Sequence, residues 1–327
     1  MLKPNLYIAL RGLAMGMAEV VPGVSGGTIA FITGIYERLI NAIKAVSTLP
    51  LGVLKREGIK GLWNYIDGNF LLALILGMAA GILVGVLGIS YLLDNYPPII
   101  WGFFFGLIIA SVLYIGRQVK KWGLREIAFL ISGIIVAFYI TIISPAEGSE
   151  NLIFVFLSGA VAVSALILPG ISGSFILLLL GMYSLVLHTA KDVLSNQTPH
   201  SILILGIFMV GCLVGLFLFS NVLSWTFKKF RYPTLAILTG FMVGSLNRIW
   251  PWRNATSWLD KDTGEHVSAP DLTRMDDFRL LTETNVQPAM YDGDPMVVGV
   301  VISFAAGIGL VYFFSRFDLE NEEPTNG

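Results

Sequence analysis

Charged residues are scarce in this chain, since Asp, Glu, Lys and Arg make up only 13% of its 327 residues. An ordinary soluble domain carries about 25% charged residues. Hydrophobic residues reach 55%, and apolar runs such as 70–93 and 202–227 are long enough to cross a bilayer, which takes about 20 residues. The composition therefore predicts an integral membrane protein without a soluble domain that would bind nucleic acid.

Cysteine and histidine are almost absent as well. The chain has one cysteine, Cys212, and three histidines, His188, His200 and His266, which do not have the spacing of metal ligands. A single cysteine excludes a disulfide framework within one chain. No Ser-His-Asp set, zinc motif or nucleotide-binding glycine loop is visible in the sequence. We therefore expect no metal site, no cofactor and no enzymatic activity.

One motif occurs twice. Residues 22–28 read PGVSGGT and residues 169–175 read PGISGSF, an offset of 147 that also relates Gly34 to Gly181. A Pro-Gly pair inside an apolar stretch breaks a helix. Two such breaks at corresponding places in the two halves of a membrane protein indicate a transporter whose binding site lies between the repeats.

The repeat divides the chain into two halves, 1–150 and 151–327. Each half is expected to hold a broken helical element that enters the membrane and returns, followed by three transmembrane helices. The first half places the broken element at about 5–45 and the helices at about 69–93, 98–116 and 125–143. The second half places them at about 152–188 and about 201–226, 233–250 and 296–315. The predicted fold is an all-α polytopic membrane protein built from two inverted repeats.

Basic residues in short loops set the expected orientation, because such loops stay cytoplasmic. They are concentrated in 44–60, 117–125 and 227–231. If each broken element returns to the side it entered, each half crosses three times, the second half is inverted and both termini are cytoplasmic. Broken elements that span fully are the alternative. They would give parallel repeats and separate the basic residues of 227–231 from those of 44–60, which the charge bias disfavours.

The stretch 251–294 is the one polar insert, and it carries acidic residues such as Asp260 and Asp271. It shows no helical or strand periodicity, so we expect an irregular external loop that forms a solvated cap. An accessory binding surface is the alternative. The spacing of its aspartates does not match an EF-hand calcium loop.

The two breaks supply groups that bind anions. A helix that restarts after a break exposes backbone N–H groups and a partial positive charge, which attract phosphate. Glycines let a ligand approach the backbone, and hydroxyl groups add donors. The predicted binding residues at the breaks are Ser25, Gly26, Gly27, Thr28, Ser172, Gly173 and Ser174. The alternative is that the serines only cap the breaks while the glycines serve helix packing.

Charged residues inside the apolar stretches complete the predicted site. A carboxylate within the membrane is costly and is a functional candidate, so we predict that Glu19 carries a proton. The alternatives are an ion pair with Arg11 or a cap on backbone N–H groups. Arg11 and Arg38 are candidate phosphate contacts. The alternative for Arg11 is that its side chain extends to the membrane surface. The alternative for Arg38 is that it only follows the preference of basic residues for the cytoplasmic side. Arg248, at the outer end of a helix, is equally ambiguous.

The segment 18–28, AEVVPGVSGGT, together with PGISGS at 169–174, resembles the family of polyprenyl-phosphate translocases formerly catalogued as domain-of-unknown-function 368. The resemblance covers about residues 5–315 and implies a flippase. Such a protein returns undecaprenyl phosphate from the outer to the inner leaflet of the bacterial cytoplasmic membrane, in support of peptidoglycan and surface-polymer synthesis. It implies protons as the coupling ion through Glu19, surrounding membrane lipids as partners, and allows a homodimer.

Two other functions stay open at this point. One is an integral-membrane polyprenyl-pyrophosphate phosphatase, although its Pro-Gly-x-Ser-Arg-Ser motif has an arginine where Gly26 and Gly173 stand here. The other is an ion-coupled transporter of a small soluble anion, which the sequence does not separate from a lipid transporter.

Overall fold

The computed structural model describes residues 4–21, 24–48, 51–143, 145–146, 148–195, 197–260, 266–268 and 278–319. The described residues form thirteen α-helices and three β-strands. The helices are α1 (Pro4–Glu19), α2 (Gly26–Ile32), α3 (Tyr36–Ser47), α4 (Leu51–Tyr65), α5 (Gly68–Asn95), α6 (Pro97–Gln118), α7 (Leu124–Ile142), α8 (Leu152–Ile167), α9 (Gly173–Leu179), α10 (Tyr183–Ser195), α11 (Pro199–Lys229), α12 (Arg231–Ser245) and α13 (Val297–Leu319). The strands are β1 (Arg253–Asp260), β2 (His266–Val267) and β3 (Phe278–Asn285).

Several of these helices are long and apolar enough to cross a membrane. They are α5, α6, α7, α11 and residues 297–314 of α13, and α9 with α10 gives a sixth if that pair, bent by 109°, is counted as one span. Large apolar side chains remain exposed on them, such as Leu83 at 68% and Leu87 at 80%, as lipid contact requires. The prediction of an all-α polytopic membrane protein is confirmed, and the inversion of the two halves stays a prediction.

Four pairs of helices pack closely through glycines. Helix α1 lies on α5, where Gly81 faces the Leu13 carbonyl, and α8 lies on α11, where Gly211 faces the Phe156 carbonyl. Helix α6 packs on α13 and α7 on α12 in the same manner. A Cβ atom at these glycines would collide with the partner's backbone, so the missing side chains set the close approach. The pairs correspond between the two halves. If α1, α5, α6 and α7 are exchanged for α8, α11, α12 and α13 in that order, and the reverse, the same four pairs result.

Each broken element consists of three helices, α1 to α3 in the first half and α8 to α10 in the second. The middle helices, α2 and α9, have seven residues each. They are followed by Gly34 and Gly181, whose φ angles are +72° and +68°. These left-handed conformations suit glycine and turn the chain into α3 and α10. All residues of α2 are buried, so the largest hydrophobic core surrounds the first break.

Two predicted segments differ in detail from the structure. The segment expected at about 233–250 holds α12, which has 15 residues, ends at Ser245 and is mostly buried. Hydrogen-bonded turns then carry the chain to Ile249. The basic stretch 44–60, expected as a loop, is helical on both sides of residues 49–50, where α3 ends and α4 begins.

The stretch 251–294 contains regular structure that its sequence did not indicate, and its place outside the membrane stays a prediction. The described part contains an antiparallel sheet in the order β2-β1-β3. Strands β1 and β3 pair from Arg253 with Asn285 to Asp260 with Phe278, and register irregularities flank Ser257. An irregularity disrupts the period of two that marks a strand in sequence, and this hid the sheet. Five of the nine acidic residues of the insert, Asp271 among them, lie outside the described residues.

Two tryptophans attach the sheet to the helical body. The indole N–H of Trp250 donates to the Val286 carbonyl at 2.9 Å, and that of Trp252 donates to the Pro295 carbonyl at 2.8 Å. These bonds join the chain that enters β1 to the chain that leaves β3. Trp250 also packs on Phe105 of α6, with ring centres 5.5 Å apart, and Asn285 of β3 donates to the Asn247 carbonyl after α12 at 2.9 Å. These contacts hold the sheet against the helical body.

Candidate functional site

The first break joins α1 to α2. Pro22 and Gly23 lie outside the described residues. The Gly26 N–H donates to Glu19 Oε1 at 2.6 Å, and the Gly27 N–H donates to Ser25 Oγ at 3.0 Å. A carboxylate and a hydroxyl thus satisfy two of the N–H groups that open α2. In this conformation Glu19 caps backbone N–H groups, which was one of the alternatives for it.

The second break joins α8 to α9 and has a different chemistry. Gly170 turns the chain with φ +83°, and Ser172 precedes the first residue of α9. The hydroxyls of Ser172 and Ser174 hydrogen-bond to each other at 2.9 Å. Leu166 stands at the position that matches Glu19, so only the first break has a carboxylate.

The two breaks bind each other directly. Ser25 Oγ donates to the Leu168 carbonyl at 3.0 Å, and the Gly170 N–H donates to Thr28 Oγ1 at 3.0 Å. Ser25 and Thr28 are fully buried. A Cβ on Gly27 would lie 2.5 Å from the Ile167 carbonyl oxygen, so a larger residue would separate the breaks. Two of the four hydroxyls predicted to bind a ligand, those of Ser25 and Thr28, are therefore used here to hold the two halves of the chain together.

The two predicted arginines lie apart from this contact. Arg38 donates from Nε to Asp67 Oδ2 at 2.6 Å and from a terminal nitrogen to Oδ1 at 3.0 Å. Its guanidinium also lies 4.4 Å from the centre of the Phe70 ring, and the ion pair is exposed. Arg11 is half-buried on α1, two turns before Glu19. The structure does not bring either arginine into contact with the hydroxyls of the breaks.

A cavity of about 340 Å³ opens beside the second break, between the helix ends and the sheet. Its lining includes apolar residues, among them Ile142, Leu178 and Leu179, and two arginines, Arg248 and Arg253. A narrow cleft of about 10 Å³ continues from the cavity toward the break. The cavity and the cleft share three residues, Thr141, Phe175 and Arg248, and the cleft reaches Gly170 and Ser172.

Two guanidinium groups share one carboxylate in the wall of this cavity. Arg248 and Arg253 each lie 3.0 Å from Glu283 Oε2, and their side chains are 20% and 5% exposed. Arg253 also donates to the Arg248 carbonyl at 2.6 Å, and its guanidinium lies 4.2 Å from the centre of the Trp101 ring. Burial lowers the pKa of Arg253 to about 10, against the attraction of Glu283. Arg253 therefore stays charged near neutral pH.

Sequence analysis missed this charged cluster. Arg248 was considered but left ambiguous, and neither Arg253 nor Glu283 was singled out. The pair joins β1 to β3 across 30 residues of sequence, which no local pattern reveals. The one available signal was Arg253 directly after Trp250-Pro251-Trp252. Within the described ranges, no group of three His, Cys, Asp or Glu side chains is placed to hold a metal ion.

Comparisons with known proteins identify the family. Residues 15–267 match the VCA0040-like family, described as undecaprenyl phosphate translocase-like. A polyprenyl-phosphate transporter of Vibrio cholerae is 46% identical over 309 residues, which cover 94% of this chain and 95% of that protein. A polyprenyl-phosphate transporter of Staphylococcus aureus is 32% identical over 256 residues, covering 74% of this chain and 85% of that protein. No solved structure matches. The resemblance seen in the paired motifs is thereby confirmed, and the chain belongs to the VCA0040-like family of undecaprenyl phosphate translocase-like proteins.

Proposed function

We propose that this protein transports polyprenyl phosphate across the bacterial cytoplasmic membrane, returning undecaprenyl phosphate from the outer to the inner leaflet. Two relatives that each align with about three quarters or more of this chain are named polyprenyl-phosphate transporters. The described part of the chain contains five or six helices suited to spanning a membrane. Both termini lie on the cytoplasmic side in this proposal, as the basic loops require. The returned carrier would supply peptidoglycan and surface-polymer synthesis.

The observation that carries the proposal is the direct contact between the two breaks. A phosphate on a lipid tail needs a polar path through the hydrocarbon while the tail stays in lipid. When one half rocks against the other, the bonds of Ser25 to Leu168 and of Gly170 to Thr28 separate. Their donors and acceptors then become available to the phosphate, together with Ser172, Gly173 and Ser174 at the second break. Gly26 and Gly27 let the phosphate approach the backbone of the first break.

Glu19 couples the movement to protons in this proposal. Its carboxylate accepts from the Gly26 N–H at 2.6 Å, so it occupies a position at which a phosphate oxygen would also be bound. A negative Glu19 opposes the arriving phosphate, and a protonated Glu19 does not. Protonation from outside and release inside would therefore drive the phosphate inward. Arg11 on the same helix provides the counter-charge, and Arg38 contributes only when it leaves Asp67.

The test is movement of undecaprenyl phosphate between leaflets in proteoliposomes, with and without an imposed pH gradient. The double variant Ser25→Ala/Ser172→Ala is compared with Ser111→Ala, because Ser111 is also fully buried but donates only within its own helix. Since a hydrogen bond to a charged group contributes about 1.5–3 kcal/mol, we expect at least about a tenfold loss of rate in the double variant. The Ser111→Ala rate stays at the wild-type value. Equal rates in both variants would refute a role for the breaks.

Glu19→Gln tests the coupling separately. Glutamine keeps an oxygen that accepts from the Gly26 N–H but does not titrate, so the fold is retained. We expect movement that no longer responds to the pH gradient. Full stimulation by the gradient in this variant would exclude Glu19 as the coupling group. If the wild-type protein released inorganic phosphate from the pyrophosphate lipid and moved no undecaprenyl phosphate, it would instead be a phosphatase.

A further inference from the structure

We propose that the cavity between the sheet and the helix ends is the entry site for the phosphate monoester group, with Arg248 as its principal contact. The inference rests on the proposed function for the lipid that carries this group. It assigns the phosphate-recognising residues to the end of α12, where Arg248 was an ambiguous candidate, and to β1 and β3, where a solvated cap was expected and an accessory binding surface was the alternative.

The charge of the cavity favours an anion. Among the described residues that line it, Arg248 and Arg253 are positive and Glu283 is negative, so one positive charge is not neutralised. The other polar lining groups are neutral, namely Thr141, Asn247, Thr282, Thr284 and Asn285. A phosphate monoester carries a charge of about −1.5 to −2 near neutral pH. It therefore complements the excess positive charge and accepts hydrogen bonds from the neutral donors.

The hydrogen bonds of the two arginines are incomplete. Each guanidinium has five N–H donors, yet the Nε atoms of Arg248 and Arg253 are buried without a hydrogen-bond partner among the described residues. Both side chains line the cavity, and that of Arg253 is only 5% exposed. A buried donor without a partner is costly. The Arg248 side chain is 20% exposed and lines the cavity, so its accessible guanidinium nitrogens can donate to a phosphate oxygen, an acceptor for which a guanidinium is geometrically suited.

The shape of the cavity indicates that the phosphate arrives on an apolar chain. The cavity lining also includes Ile142, Ile143, Pro145, Leu178 and Leu179, which together are called the apolar wall here. The volume of about 340 Å³ is at the lower end of the range for ligand pockets. It accommodates a headgroup and the first units of a chain, while the remainder of a polyprenyl tail must leave along the helices into lipid. A free phosphate ion would not use the apolar wall.

Arg248 also stands where the cavity meets the second break. Its guanidinium lies 5.0 Å from the centre of the Phe175 ring, and both residues line the narrow cleft that reaches Ser172. The cleft of about 10 Å³ admits no more than about one water molecule. A bound phosphate is therefore stopped at Arg248 and Phe175 until the halves move. Arg253 and Glu283 are positioning residues, since they hold Arg248 from the sheet side.

The experiment is calorimetric titration of the purified full chain in detergent micelles with inorganic phosphate and, separately, with farnesyl phosphate. We expect Arg248→Gln to weaken the binding of both at least about tenfold, because a charge-assisted hydrogen bond is lost. Arg248→Lys keeps the charge and should lose less. The matched control is Arg231→Gln, since Arg231 pairs one-to-one with Glu37 at 2.9 Å and should leave binding unchanged. Wild-type affinity in Arg248→Gln, or equal weakening in Arg231→Gln, would overturn the site.

Glu283→Gln gives a result that a purely structural role would not. Glutamine keeps an oxygen that accepts from both arginines, so Arg248 stays in position. Because the competing negative charge is removed, phosphate should bind about three- to tenfold more tightly. Weaker binding in this variant would contradict the proposal. Farnesyl phosphate should bind at least about tenfold more tightly than the free ion, since it buries apolar surface. Equal affinities would remove the apolar wall from the site and point to free phosphate as the ligand.

The outcomes separate this inference from the proposed function. Phosphate binding that depends on Arg248, in a protein that moves no undecaprenyl phosphate, would support the entry site and refute the transport function. Lipid movement by the wild-type protein, together with normal phosphate binding by the Arg248→Gln variant, would support the transport function and refute the entry site.

Discussion

Replacing Thr28 by valine tests the bond that joins the two breaks. Thr28 is fully buried, and its Oγ1 accepts from the Gly170 N–H at 3.0 Å. Valine keeps the shape of the side chain and removes the acceptor. Because the Gly170 N–H then stays buried without a partner, the free energy of unfolding should fall by about 1–3 kcal/mol.

The matched control is Thr239→Val. Thr239 is 2% exposed, and its hydroxyl donates at 2.7 Å to the Leu235 carbonyl within the same helix. That carbonyl also receives the backbone bond of the helix, so the change leaves no backbone group without a partner. We therefore expect a loss well below that of Thr28→Val.

The assay is equilibrium unfolding in mixed micelles of increasing SDS content, followed by tryptophan fluorescence. Thr28→Ser, which keeps the hydroxyl, should recover most of the stability lost in Thr28→Val. The reasoning is refuted if Thr28→Val and Thr239→Val lose the same free energy, or if Thr28→Ser is as unstable as Thr28→Val.

Three further tests give independent checks by the same unfolding assay. Gly27→Ala puts a Cβ 2.5 Å from the Ile167 carbonyl oxygen and should lower the free energy of unfolding by about 1–3 kcal/mol. Gly206→Ala meets open space and should raise that free energy by about 0.5–1 kcal/mol. A more stable Gly27→Ala than Gly206→Ala would contradict the packing described. Gly170→Ala must adopt φ +83° and should lose at least about 1–2 kcal/mol, so an unchanged stability would exclude the strained turn. In a double-mutant cycle, Arg38→Ala and Asp67→Ala should couple by no more than about 1 kcal/mol, because their ion pair is exposed, and a larger coupling would show a buried pair.

The breaks could be predicted from the sequence because a Pro-Gly pair inside an apolar stretch has a direct physical consequence. Composition likewise sufficed to predict a polytopic helical membrane protein. The contacts of the breaks could not be predicted. Ser25 binds a carbonyl 143 residues away, and a hydroxyl's partner across such a distance depends on how the helices pack.

The other site residues that the sequence did not place correctly also have partners that are distant in the sequence. Arg38 looked available for phosphate because Asp67, its partner, lies 29 residues further along the chain. The charged cavity was missed because Arg253 and Glu283 meet only through the pairing of β1 with β3, in a stretch without strand periodicity. Glu19 was singled out correctly as an unusual group, since a carboxylate in an apolar stretch is costly wherever it binds. Its bond to the Gly26 N–H was one of two local alternatives.

The central claim is that the two breaks must separate for the lipid phosphate to pass. It is tested by placing cysteines at Ser25 and Leu168, which meet in the contact between the two breaks, in a chain with Cys212→Ala. Movement of undecaprenyl phosphate is measured in proteoliposomes before oxidation, after oxidation and after reduction, and the disulfide is quantified by mass spectrometry. We expect movement to stop in proportion to the disulfide formed and to return on reduction. Full movement by fully cross-linked protein would contradict the account.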